Sequence, residues 1–232
     1  MFAICVALFL TPVPDDPKSD AKEALRGFQE LIGPWRATGE PVSGSSAEKA
    51  RGFWKESINW VWKFKGDDAW LVFTIDNGKY FKGGELRFLP TQEKYRLTMF
   101  GIDGGKQIFE GKLSTNGRKL VAERVDVERP EDSRLTLSLV GDIRFQYSFE
   151  TRPKDRKLYT KVFQVGATRE GESLAGAAKS NHPECVVSGG LGTIRVTHKG
   201  ETYYVCCTGC LEAFKDDPEK YIKEFKEKKA KK

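Results

Sequence analysis

The sequence predicts a mainly β protein: an antiparallel up-and-down β-barrel followed by a small α+β module of one β-hairpin and two short helices. Three observations carry that expectation. Between Pro34 and Val165, apolar and polar residues alternate in roughly ten short runs separated by turn signals. Residues 166–181 are then small and polar and read as a linker. Residues 182–221 follow, with four of the five cysteines and both histidines of the 232-residue chain.

Residues 2–10, FAICVALFL, are too short an apolar run to span a bilayer and suit the hydrophobic segment of a signal peptide. A basic start and an A-x-A cleavage motif are missing, yet export is the expectation. Ile4 is large where a lipid-attachment site at Cys5 needs a small residue. No other segment is long and apolar enough to be transmembrane. Residues 11–19, TPVPDDPKS, read as a linker. A helix is expected next, N-capped by Asp20 with Glu23 three residues on. Its apolar face holds Ala21, Leu25, Phe28 and Ile32, and Gly33 ends it.

The β region opens at Pro34. Trp54, Ile58, Trp60, Trp62 and Phe64 alternate with Lys55, Ser57, Asn59, Lys63 and Lys65, which predicts a long strand with one apolar face. Trp70–Ile75 is a second strand, closed by the turn signal Asp76-Asn77-Gly78. Further strands are expected at 79–82, 85–89, 95–100, 106–113, 119–127, 134–140, 143–150 and 157–165, with short hairpins between them. Closing so many antiparallel strands into a barrel removes the exposed edges they would otherwise leave.

Gly33-Pro34-Trp35, after a short helix and at the first strand, resembles the Gly-x-Trp signature of lipocalins, and the wider pattern is similar to lipocalin-like bacterial domains. The resemblance implies a barrel over 20–168 with Trp35 packed across one end. It also implies an interior that either holds a small apolar ligand or is simply filled with side chains. The linker then spans 169–180 and the C-terminal module 181–232.

In that module, His182-x-x-Cys185 is followed after twenty residues by Cys206-x-x-x-Cys210. Two close pairs of soft ligands separated by a hairpin-sized insert are what a tetrahedral metal site requires. Four cysteines in an exported chain also admit two disulfides, and spacing alone leaves both chemistries open. Thr193–His198 and Glu201–Val205 flank Lys199-Gly200 and predict a hairpin, with Cys206 at its end. Thr208–Lys215 is expected to be a short helix with Cys210 in its first turn, where free N–H groups favour thiolate. A second helix starts at Pro218, capped by Asp217, with Tyr221, Ile222 and Phe225 on its apolar face.

Cys185-x20-Cys206-x3-Cys210, with Tyr203-Tyr204-Val205 before it and Phe214, Pro218 and Tyr221 after it, resembles the YHS domain within the wider TRASH group. The resemblance implies heavy-metal trafficking, resistance or sensing. The implied ligands are Cys185, Cys206 and Cys210, and the implied partner is a metal-transport or sensor protein; His182 departs from the pattern, which often has a cysteine there, and is expected as the fourth ligand because imidazole also closes a tetrahedral site. A Cys3His set suits Zn²⁺; copper is the softer alternative. Cys207 departs from the pattern and is expected to point away as a spare thiol, and His198 is expected to be exposed on the hairpin.

The formal net charge of +6 comes from Lys and Arg scattered among 33 acids, which argues against a nucleic-acid surface. The terminal KEKKAKK is read as a solvated helix end. Ser43–Ser46 and Ser188–Gly192 lack phosphate-loop and dinucleotide-binding spacing and are read as loops. With no nucleophile–base arrangement in view, a non-enzymatic metal-binding protein is expected. A structural zinc module mediating protein contacts, and a disulfide or redox module, are the alternatives.

Overall fold

The computed structural model of the chain describes residues 17–126, 130–171 and 183–230. The apolar leader, Cys5, most of the linker and His182 lie outside these residues.

Helix α1 (Pro17–Leu25) runs into a 3₁₀ turn over Arg26–Leu31. The helix starts three residues before the expected cap, so Asp20 lies within it. Strand β1 (Gly33–Pro41) follows, then α2 (Ser46–Gly52). Helix α2 starts at Ser46, the last residue of the stretch Ser43–Ser46 expected to be loop, and covers residues for which no element was expected. Its signal was present in the sequence: the Ser45 hydroxyl accepts the Glu48 N–H while the Glu48 carboxylate accepts the Ser45 N–H, a complete capping box.

Strands β2 (Trp54–Lys65), β3 (Asp68–Asp76), β4 (Phe81–Leu89), β5 (Lys94–Gly101), β6 (Lys106–Leu113), β7 (Lys119–Arg124), β8 (Glu131–Leu139), β9 (Arg144–Pro153) and β10 (Thr160–Arg169) complete a closed ten-strand antiparallel barrel. Each strand pairs with its sequence neighbours, and β1 pairs with β10 to close the ring. This fits the lipocalin-like up-and-down description. The two strands expected at 79–82 and 85–89 are one strand: a register shift between Phe81 and Gly83 bends it, and Gly83-Gly84 stay paired with Phe100 and Met99 instead of forming a turn. Gly166, Ala167 and Thr168, small and polar in sequence and past the last expected strand though inside the barrel bounds of 20–168, pair with Thr38, Ala37 and Arg36 at the closing seam.

Trp35 closes one end as expected. It is 1% exposed, donates its indole N–H to the Leu31 carbonyl at 2.7 Å, and lies under the Arg169 guanidinium at 4.5 Å. The interior is filled by residues such as Ile58, Trp60, Phe73, Leu97 and Phe145. The cavity left among them is about 20 Å³, the room of about one water-sized sphere.

Glu56 brings a carboxylate into this largely apolar interior. Glu56 has the same parity as Ile58 and Trp60 on β2 and therefore points inward. Its two carboxylate oxygens accept the Tyr147 hydroxyl and the Trp54 indole N–H, each at 2.7 Å. Burial pushes the Glu56 carboxyl above its ordinary 4.5, and the two hydrogen bonds only partly offset that. Because the folded-state value lies above the unfolded one, Glu56 contributes stability below the unfolded value, and that contribution is lost as pH rises through the folded value. The denaturation midpoint of the wild type should therefore fall relative to that of Glu56→Gln as pH is raised from about 4 to about 7. Parallel midpoint-versus-pH curves for the two proteins would contradict this.

Candidate metal centre

The module begins at Pro183 and folds back on itself at once. An isolated bridge pairs Glu184 with Leu191, and the Cys185 N–H donates to the Gly190 carbonyl at 2.6 Å. This knuckle presents the Cys185 thiol to its own Ser188 N–H, 3.4 Å away. Strands β11 (Ile194–His198) and β12 (Glu201–Val205) form the expected hairpin, with Lys199 and Gly200 at φ 48° and 82° in its tight turn. The hairpin returns the chain to the knuckle, where the Val186 N–H donates to the Tyr204 carbonyl. Helix α3 (Thr208–Asp216) starts immediately after, and α4 (Pro218–Ala230) follows with Asp217 capping the Lys220 N–H at 3.1 Å.

This path brings three sulfurs together. The Sγ atoms of Cys185, Cys206 and Cys210 all lie within 4.8 Å of one another, and all three residues are buried. Cys206 and Cys210 are 3.5 Å apart. Thiolates at about 2.3 Å from a tetrahedral zinc stand roughly 3.8 Å from each other, so the donor set and its spacing fit such an ion. A disulfide needs about 2.05 Å, and the four described cysteines are free thiols.

Cys207 lies closer to this group than the strand argument predicts. It stands past the end of β12 as the N-cap residue of α3, where strand alternation no longer applies. Its Sγ is 3.9 Å from that of Cys206 and accepts the backbone N–H of Trp62 on β2 at 3.4 Å. His198 is remote from the cluster: its Nε2 pairs with the Glu219 carboxylate at 2.9 Å.

The thiols share protons in an alternating pattern. Hydrogen bonds from the Cys206 thiol first, then from Cys210, hold both Cys185 and Cys207 well below the usual thiol range. Hydrogen bonding to Cys185, then to Cys207, pushes Cys206 up, and burial pushes Cys210 up. A cation binding to this buried cluster must displace the protons that Cys206 and Cys210 hold more tightly than an ordinary thiol does.

Helix α3 can approach this closely because residue 209 is glycine. A Cβ there would lie 1.6 Å from the Trp62 carbonyl oxygen. Ion pairs flank the docked module: Lys63–Glu212 at 3.2 Å, Lys220–Asp67 at 3.0 Å and Lys22–Glu224 at 3.0 Å. Being largely exposed, each contributes about 0–1 kcal/mol, less than the buried contacts between α3 and β2.

Residues 193–224 match the family model of the YHS domain. No curated protein matches the chain. Among solved structures, the chain is similar to that titled Crystal Structure of Rv2717c from M. tuberculosis, with 14% identity and a TM-score of 0.40 over 63% of this chain and 97% of that one. The YHS match and the converging thiols support metal binding. Among the described residues, no helix is long and apolar enough to cross a membrane.

Gly209→Ala should force α3 away from β2 and destabilise the protein by about 1–3 kcal/mol, the usual cost of overpacking a tight contact. Denaturant titration of the two proteins measures it, and an unchanged midpoint would show that the contact gives way freely.

Proposed function

We propose that this is a non-enzymatic, exported metal-binding protein in which Cys185, Cys206 and Cys210 hold a soft ion. His182 is the fourth ligand, and Zn²⁺ suits the Cys3His set better than copper does. The observation that carries the reading is the convergence of three buried sulfurs within 4.8 Å, each from a different local element or turn. The knuckle supplies Cys185, the hairpin end Cys206 and the first turn of α3 Cys210. When bound, the ion would lock these three elements together; the protein contributes thiolates, N–H donors to sulfur and exclusion of water. The barrel acts as a scaffold, since its central cavity of about 20 Å³ leaves little room for a carried ligand.

Similarity to YHS modules supports a role in heavy-metal trafficking, resistance or sensing, with a metal-transport or sensor protein as partner. Burial favours a second reading. Cys185 and Cys210 are 0% exposed and Cys206 is 8% exposed, as in a site that keeps its metal as part of the fold while the module mediates protein contacts.

Elemental analysis of the purified wild type should find one equivalent of zinc. Cys210→Ser should carry almost none while its far-ultraviolet circular dichroism still reports a folded barrel. Unchanged metal content in that variant would refute the ligand assignment. Metal transfer to a small chelator under native conditions separates the two roles. A trafficking site releases its ion while the fold persists, whereas a structural site releases it only at the rate of unfolding.

A further inference from the structure

Two barrel-side groups touch the sulfurs. The backbone N–H of Trp62 reaches Cys207, and the side-chain amide of Gln29 reaches Cys206 at 3.8 Å. Gln29 lies in the 3₁₀ turn before β1, far in sequence from the module. The orientation of its amide is set by chemistry. The Trp62 indole N–H is a donor only, and it lies 3.1 Å from Gln29 Oε1. That contact requires the oxygen to face the indole, which leaves the NH₂ facing the sulfur. The loop of the knuckle makes room for it: a Cβ at Gly190 would stand 1.9 Å from Gln29 Nε2. On the module side, the Ser188 hydroxyl lies 3.3 Å from the same sulfur.

We infer that Gln29 is a positioning residue of the metal site, donated by the barrel, so that barrel and module together make one outer shell around the ion. This rests on the metal-binding reading above. The physical reason is charge. Three thiolates around a divalent ion leave one excess negative charge in a buried place. A donor aimed at a ligating sulfur spreads that charge and fixes the sulfur's direction. Trp62 fixes Gln29, Gln29 steadies Cys206, and ion binding is thereby linked to docking of the module on β2.

Gln29→Glu tests this with almost no change of shape. It keeps an acceptor for the Trp62 indole but replaces the donor facing Cys206 with a negative charge. Gln29→Met serves as the second variant, similar in length and lacking both functions. With the full-length protein, Zn²⁺ affinity is measured by competition with a chromophoric chelator, and the sulfur-to-metal charge-transfer band is read with Co²⁺ bound. Both variants should bind Zn²⁺ about 10–100-fold more weakly, the usual effect of losing an outer-shell partner. Their Co²⁺ band should move to lower energy, because a thiolate without its hydrogen bond gives up electron density more easily. A purely structural role for Gln29 would lower stability without moving that band. Affinity within twofold of wild type, with the band unmoved in either folded variant, overturns the inference and leaves the metal reading standing. A wild type that takes up neither ion overturns both.

Discussion

The structure depends on one mismatch in strand length. The pairing of β1 with β2 ends at Gly33 opposite Trp60, because the chain before Gly33 turns away as the 3₁₀ segment. Strand β2 continues to Lys65, paired there only with β3. The overhang of Val61–Lys65 therefore leaves backbone groups without a ladder partner on one side, and an open edge of this kind must be covered or paired. The module covers it. The Cys207 sulfur takes the Trp62 N–H, and Gly209 lets the first turn of α3 lie against the Trp62 carbonyl. Trp62 itself is 0% exposed, and Phe64 meets Tyr221 of α4 edge-on at 6.3 Å. Barrel and module share one continuous hydrophobic core.

The same edge explains where the thiols sit. A module of this size has little apolar volume of its own, so its buried sulfurs lie where the barrel adds depth. Depth costs solvation, which for thiolates is offset by N–H donors: Ser188 to Cys185, Trp62 to Cys207 and Gln29 to Cys206. Cys207 and Cys210 also stand at the N-terminal end of α3, where the helix dipole favours negative charge. These donors reduce the charge problem without removing it. What the arrangement still calls for is a cation.

Much of this was legible in the sequence, for reasons that differ by residue. Cys185, Cys206 and Cys210 form a local pattern, and the hairpin that unites two of them with the first is signalled by Lys199-Gly200 between alternating runs. The barrel followed from period-two alternation and turn chemistry. Glu56 was also readable by parity, since it stands among Trp54, Ile58 and Trp60; the helix at Ser46–Gly52 was readable from Ser45 and Glu48. Gln29 and Trp62 are another matter. Their links to the cysteines span 177 and 145 residues, and a single glutamine on a short helical segment carries no periodic signal. The three-sulfur cluster leaves Cys207 out, but its nearness to Cys206 was not legible, because its direction depends on where β12 stops, and element ends are the least legible feature of a sequence.

Docking therefore has consequences in both directions. Without the module, β2 would present an unpaired edge and expose Trp62, a combination that invites association with other chains. Without the barrel, the knuckle would lose the Gln29 amide that fills the space beside Gly190, and Cys207 would lose its backbone donor. Neither loss is made good by the exposed ion pairs at the rim, each of which contributes about 0–1 kcal/mol. The buried thiols are thus held by contacts from both parts of the chain. An ion bound there would stabilise the docked arrangement in proportion to how much more tightly it binds that arrangement than the separated one.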